Sequence, residues 1–138
     1  MVRKNMILIV ILTTTIEFCM ESHIHSLGLV YAQMGEYEKA IRELKNDYEV
    51  NRFRWDYYYL LGICYYQTGN LHQAVFNFQK AKELKGKRTK KIDRELFKAC
   101  ISIARDYYEK GMLDSSGYYY NLGISSYRKY LKEIKWFN

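Results

Sequence analysis

The sequence predicts an all-α chain, a solenoid of about three antiparallel helix hairpins with a C-terminal capping helix. Two observations predict it. Apolar residues recur three or four apart at Tyr58, Leu61, Gly62 and Tyr65, stop at Gly69 and Asn70, and resume at Leu71, Ala74, Val75, Phe78 and Ala81. That pattern is two amphipathic helices joined by a tight turn. Thirty-four residues upstream it returns, with Leu27, Gly28, Tyr31, Gln33, Gly35, Ala40 and Glu49 standing where Leu61, Gly62, Tyr65, Gln67, Gly69, Ala74 and Glu83 stand. A two-helix unit of that period leaves one apolar face open and must stack on a neighbour.

Residues 1–20 stand outside the repeats. A basic start at Arg3 and Lys4 leads into the apolar run Met6–Leu12, prolonged through three threonines and Ile16 to Glu17. This shape resembles a secretory signal or a short signal anchor, with Cys19 placed for lipid attachment after cleavage. The run is about 11 residues, against the ~20 that a membrane span needs. Ile16-Glu17-Phe18 is a poor lipoprotein cleavage site, and the competing reading is an extra apolar helix over the open end of the array. Residues 1–20 therefore suit an exported or membrane-associated chain and a cytoplasmic one equally.

Residues 21–54 form the first predicted repeat and residues 55–88 the second. In the second, Gly62 and Ala74 let the helices approach, and Leu61, Tyr65 and Phe78 fill the space around them. In the first, Tyr37, Ala40, Ile41, Leu44 and Tyr48 share a face, with charged residues on the other. Residues 85–96 read as a basic linker carrying Lys85, Lys87, Arg88, Lys90, Lys91 and Arg94 against Asp93 and Glu95. A third, looser repeat covers residues 97–130, with Tyr107, Tyr108, Gly111 and Leu113 matching Tyr65, Tyr66, Gly69 and Leu71 after eight added residues. A competing register begins near Ser116, where Tyr118–Gly123 imitates Tyr57–Gly62; the Gly111 register is preferred because it supplies the break between helices. Residues 131–138 extend a stripe through Leu131, Ile134 and Phe137 as the closing cap.

These residues resemble the tetratricopeptide repeat family, whose units place Leu-Gly-x-x-Tyr in the first helix and Ala-x-x-x-Phe in the second. The resemblance spans roughly three quarters of the chain. It departs in lacking any proline after the second helix. The resemblance implies a right-handed stack whose first helices line a concave groove. The matching positions are Ser22, His25, Leu29 and Gln33 in the first unit, Asp56, Tyr59, Ile63, Tyr66 and Gln67 in the second, and Lys98, Ile101, Arg105 and Tyr108 in the third. Such a groove suits an extended peptide or an amphipathic helix of a partner protein. Family members that clamp a terminal carboxylate use Lys, Asn and Arg at places here holding His25, Leu29, Leu60, Lys98 and Ser102. Only Lys98 agrees, so that specialised role is rejected.

Chemistry finds little footing. Among His23, His25 and His72, the first two are two apart on a helix and point to different sides. Cys64 and Cys100 sit among apolar residues as small buried hydrophobes, and three cysteines make no disulfide framework. No nucleophile elbow, phosphate loop or metalloprotease helix is present, so no catalytic residue, metal site or cofactor is predicted and the chain is read as a non-enzyme. The net charge of +7 is concentrated in the basic stretch. That stretch has no interleaved aromatic residues to stack bases, which argues against a nucleic-acid module and leaves lipid head groups or solvation. The predicted function is a protein-interaction scaffold. Its rivals are a membrane-tethered envelope module and a nucleic-acid module on residues 85–94, and exposed ends also permit self-association.

Overall fold

The computed structural model describes the backbone of residues 27–135 and the side chains of residues 27–128. The readings of residues 1–20, Cys19, Ser22, His23, His25 and Trp136 to Asn138 lie outside the described residues.

All seven described elements are helices: α1 (Leu27–Gln33), α2 (Tyr37–Asn46), α3 (Tyr48–Asn51), α4 (Trp55–Gln67), α5 (Leu71–Lys85), α6 (Lys90–Glu109) and α7 (Leu113–Lys135). They form three hairpins, α1 with α2, α4 with α5 and α6 with α7, and successive hairpins stack through α2 on α4 and α5 on α6. The single turn α3 bridges the first two.

One turn design recurs three times. Gly35, Gly69 and Gly111 adopt φ of 79°, 78° and 74°. After each, the next amide reaches back to a tyrosine carbonyl five residues earlier: Glu36 to Tyr31, Asn70 to Tyr65 and Met112 to Tyr107, each at 2.9 Å. The glycine amides bond the carbonyls of Ala32, Tyr66 and Tyr108. This paired closure satisfies the last helical carbonyls and needs a left-handed residue, which glycine supplies without a Cβ clash. Its third copy places the break of the last hairpin at Gly111. Tyr118–Gly123 lies inside α7, so no first-type helix starts near Ser116.

The hairpin cores follow the predicted stripes. Ala40, Leu44, Tyr57, Leu61, Cys64, Ala74, Phe78 and Ala81 are buried, and Ile92, Leu96, Ala99, Cys100 and Ile103 continue the core into α6. Within each of the first two hairpins a bare glycine backbone receives a large side chain. A Cβ on Gly62 would lie 2.5 Å from Phe78 Cε1, and one on Gly28 would lie 2.6 Å from Leu44 Cγ. In the third hairpin the close glycine is on the second helix, where a Cβ on Gly123 would lie 3.0 Å from Cys100 Cβ, and Ser116 Oγ donates to the Ala104 carbonyl at 2.8 Å.

Two boundaries differ from expectation. The basic stretch 85–96 is not a linker: only Gly86–Thr89 connects α5 to α6, and the third hairpin begins at Lys90 rather than residue 97. Ile92 and Leu96 extend the apolar stripe of α6 backward, and Lys90, Lys91 and Arg94 occupy its exposed side, so the added residues lengthen the first helix. At the C-terminus, residues 131–135 belong to α7, so the closing element is the end of the last hairpin's second helix.

The α5–α6 junction is pinned by a buried carboxylate. Asp93 is fully buried; its Oδ2 accepts from Thr89 Oγ1 at 2.7 Å, and its Oδ1 faces the Lys82 ammonium of α5 as an ion pair without hydrogen-bond alignment.

Candidate partner-binding groove

The groove residues predicted in the second and third hairpins lie along α4 and α6. Tyr59, Ile63 and Tyr66, at the three- and four-residue spacing that puts them on one side of α4, are half-buried and rest on the core. The Tyr59 ring lies 6.0 Å from Phe78 and 6.4 Å from Trp55, centroid to centroid. Its hydroxyl is pushed above the usual tyrosine range, first by burial and then by the Glu95 carboxylate of α6, with Arg94 opposing. Lys91 of α6 sits with Nζ 4.8 Å from the Tyr59 centroid. These contacts join the α4 row to α6 at Tyr59.

Other predicted positions are divided between contact and solvent. Asp56 is engaged by Arg54, with Nε to Oδ1 at 3.2 Å and Nη2 to Oδ2 at 2.9 Å, and it also accepts from the Tyr57 amide. Lys98 pairs with Glu95 Oε2 at 3.2 Å, and Glu95 is shared with Arg94. Ile101 is half-buried, whereas Gln67, Arg105 and Tyr108 are exposed. In the first hairpin Leu29 is half-buried and Gln33 exposed on α1.

Lys85, Lys91 and Trp55 escaped the residue-by-residue prediction of the groove. Lys85 Nζ lies 3.7 Å from the Trp55 ring centroid. The signal for Lys91 was present in the spacing: Lys91, Arg94, Lys98, Ile101, Arg105 and Tyr108 recur every three or four residues once 90–96 is helical.

Two depressions are lined by residues other than the predicted ones. One, of about 120 Å³, is lined by Leu71, His72, Asp106, Tyr107 and Lys110 among others. There His72 Nε2 approaches Tyr107 Oη at 3.2 Å and meets the Tyr119 ring edge-on. The other, of about 360 Å³, lies between α2, α4 and α5 and contains Tyr48, Tyr58, Tyr65 and Phe76. Phe76 is 61% exposed. Sequence reading missed it because it took the second helices as packing elements, although Phe76 falls off the buried stripe.

Cys64 and Cys100 are buried free thiols, pushed up to about 11 and about 12 by burial. Among the described residues no three His, Cys, Asp or Glu side chains assemble to hold a metal ion, and no helix is long and apolar enough to cross a membrane.

Residues 55–87 match the family described as Tetratricopeptide repeat, and residues 24–46 match a second family of the same description. Two segments of the chain therefore match tetratricopeptide repeats. Tetratricopeptide repeats as a class mediate protein–protein interaction and typically serve as scaffolds. No curated protein sequence matches the chain. Among solved structures, a crystal structure of MamA is similar at a TM-score of 0.41 and 20% identity, covering 77% of each chain.

Proposed function

We propose that the repeats hold a segment of a partner protein along the side of α4 and α6, as an extended peptide or an amphipathic helix. The half-exposed row Tyr59, Ile63 and Tyr66, set on a buried floor, carries this reading. Aromatic side chains already packed on one edge lose little rotamer freedom on binding and make good anchors. The exposed polar ends at Gln67, Lys98 and Arg105 would set register around them. A Tyr59→Ala, Tyr66→Ala double variant should abolish partner capture and keep the helical circular dichroism of the parent. Undiminished capture by a folded double variant overturns the assignment.

The 360 Å³ depression supports a second reading, in which a partner's apolar side chain enters beside Tyr48 and Phe76. Loss of capture in Phe76→Ala, with the Tyr59→Ala, Tyr66→Ala variant unaffected, would select it.

A further inference from the structure

We propose that the groove's edge at Trp55 and Tyr59 selects an acidic protein segment, whose carboxylates meet Lys85 and Lys91 while its apolar side chains rest on the α4 row. This rests on the groove reading above and adds the chemistry of the partner.

Two cations here are positioned without being neutralised. Lys85 Nζ lies over the Trp55 ring at 3.7 Å and Lys91 Nζ over the Tyr59 ring at 4.8 Å, the rings themselves being 6.4 Å apart. A ring face attracts and orients an ammonium but leaves its full charge and its other donors available. The neighbouring carboxylates are already committed: Asp56 to Arg54, Glu95 to Arg94 and Lys98, and buried Asp93 to Lys82. Ion pairs among the described residues leave Lys85 and Lys91 without an acid, whereas Lys39, Arg42, Arg52 and Lys80 each have one. The edge is therefore a preformed, unbalanced positive site next to an apolar row.

The same geometry distinguishes a protein carboxylate from the other anions. Single-stranded nucleic acid needs open ring faces for base stacking, and here the cations cover the faces of Trp55 and Tyr59. A lipid surface needs apolar side chains that insert into it, and both rings are half-buried against the protein. A peptide alternating acidic and apolar residues satisfies both the cations and the row beneath them.

The test is selection of displayed random peptides, about 12 residues long, on the immobilised full-length chain at about 50 mM salt, where exposed charges are weakly screened. Selected peptides should be enriched in Asp and Glu beside apolar residues. The enrichment should vanish on a Lys85→Gln, Lys91→Gln variant, and peptides selected on the parent should bind that variant about fivefold more weakly. Selected peptides without acidic enrichment, or enrichment that survives the double lysine change, overturn this proposal and leave the groove reading intact if Tyr59→Ala, Tyr66→Ala abolishes selection. Failure to select any peptide, or selection unaffected by the tyrosine changes, overturns the groove reading and this proposal with it. Tighter binding of polyuridylate or phosphatidylserine vesicles than of the selected peptides, lost in the lysine variant, would assign the cations to phosphate and overturn the proposal.

Discussion

Replacing Gly62 with alanine should destabilise the chain, although alanine is the better helix former. In an α-helix interior the change from glycine gains about 1 kcal/mol from backbone entropy. At Gly62 the added methyl would lie 2.5 Å from Cε1 and 2.6 Å from Cδ1 of Phe78, closer than real carbon contacts come. Phe78 is fully buried, so its ring has no solvent into which to move, and Ala74 and Ala81 beside it on the same helix face are fully buried too. Overpacking of this kind costs about 1–3 kcal/mol, rising where the backbones must separate. The net expectation is a loss of about 1–2 kcal/mol for Gly62→Ala and more for Gly62→Leu. Gly117 provides the internal control, since it is helical in α7 and a Cβ there meets nothing within 4 Å. Gly117→Ala should therefore stabilise by about 0.5–1 kcal/mol. Urea denaturation followed by circular dichroism reads both changes against the parent. A Gly62→Ala variant as stable as the parent, or shifted in the same direction as Gly117→Ala, would refute close packing at this crossing.

Three further outcomes are expected. Lys82→Met strands the buried Asp93 carboxylate and should cost about 3 kcal/mol, whereas Asp93→Asn keeps a partner for Thr89, frees the partly exposed Lys82 and should cost about 1–2 kcal/mol; urea midpoints in the reverse order would contradict the ion-pair assignment. Tyr57 donates from Oη to the Leu44 carbonyl at 2.9 Å, and burial pushes its hydroxyl up to about 12, above the ordinary 10.0. The folded state thus keeps this proton longer than the unfolded one, so its stabilisation is complete below about pH 10 and is lost as pH rises through about 12. Tyr57→Phe should cost about 1 kcal/mol at neutral pH and flatten that alkaline decline, as read by urea titrations across the range. Finally, Cys64 and Cys100 should resist iodoacetamide at pH 8 in the folded chain and react after denaturation, as peptide mass mapping reads; labelling of the folded chain would contradict their burial.

The hairpins were legible because burial imposes a period. Ala74, Phe78 and Ala81 had to recur three and four apart to share a face of α5, and Gly35, Gly69 and Gly111 had to lack a Cβ to take positive φ without strain. The start of α6 was obscured by charge: Lys87, Arg88, Lys90 and Lys91 dominate the text, while only Ile92 and Leu96 signal a buried stripe. Asp93 illustrates the limit best. A carboxylate beside lysines reads as solvated surface, and its burial depends on Lys82 of another helix, which no local spacing specifies. The α4 row could be placed from helical spacing and family resemblance together. Its electrostatic edge could not, because Lys85 and Lys91 meet Trp55 and Tyr59 only once α5 and α6 are stacked on α4.

We place the partner on the α4 and α6 side. Photocrosslinking in the native cell tests it most directly, with a benzophenone amino acid placed at Tyr66 in one variant and at Phe76 in another. A partner seated on α4 and α6 gives a specific crosslink from position 66 and none from position 76. Crosslinking from position 76 alone would instead seat the partner in the depression between α2, α4 and α5.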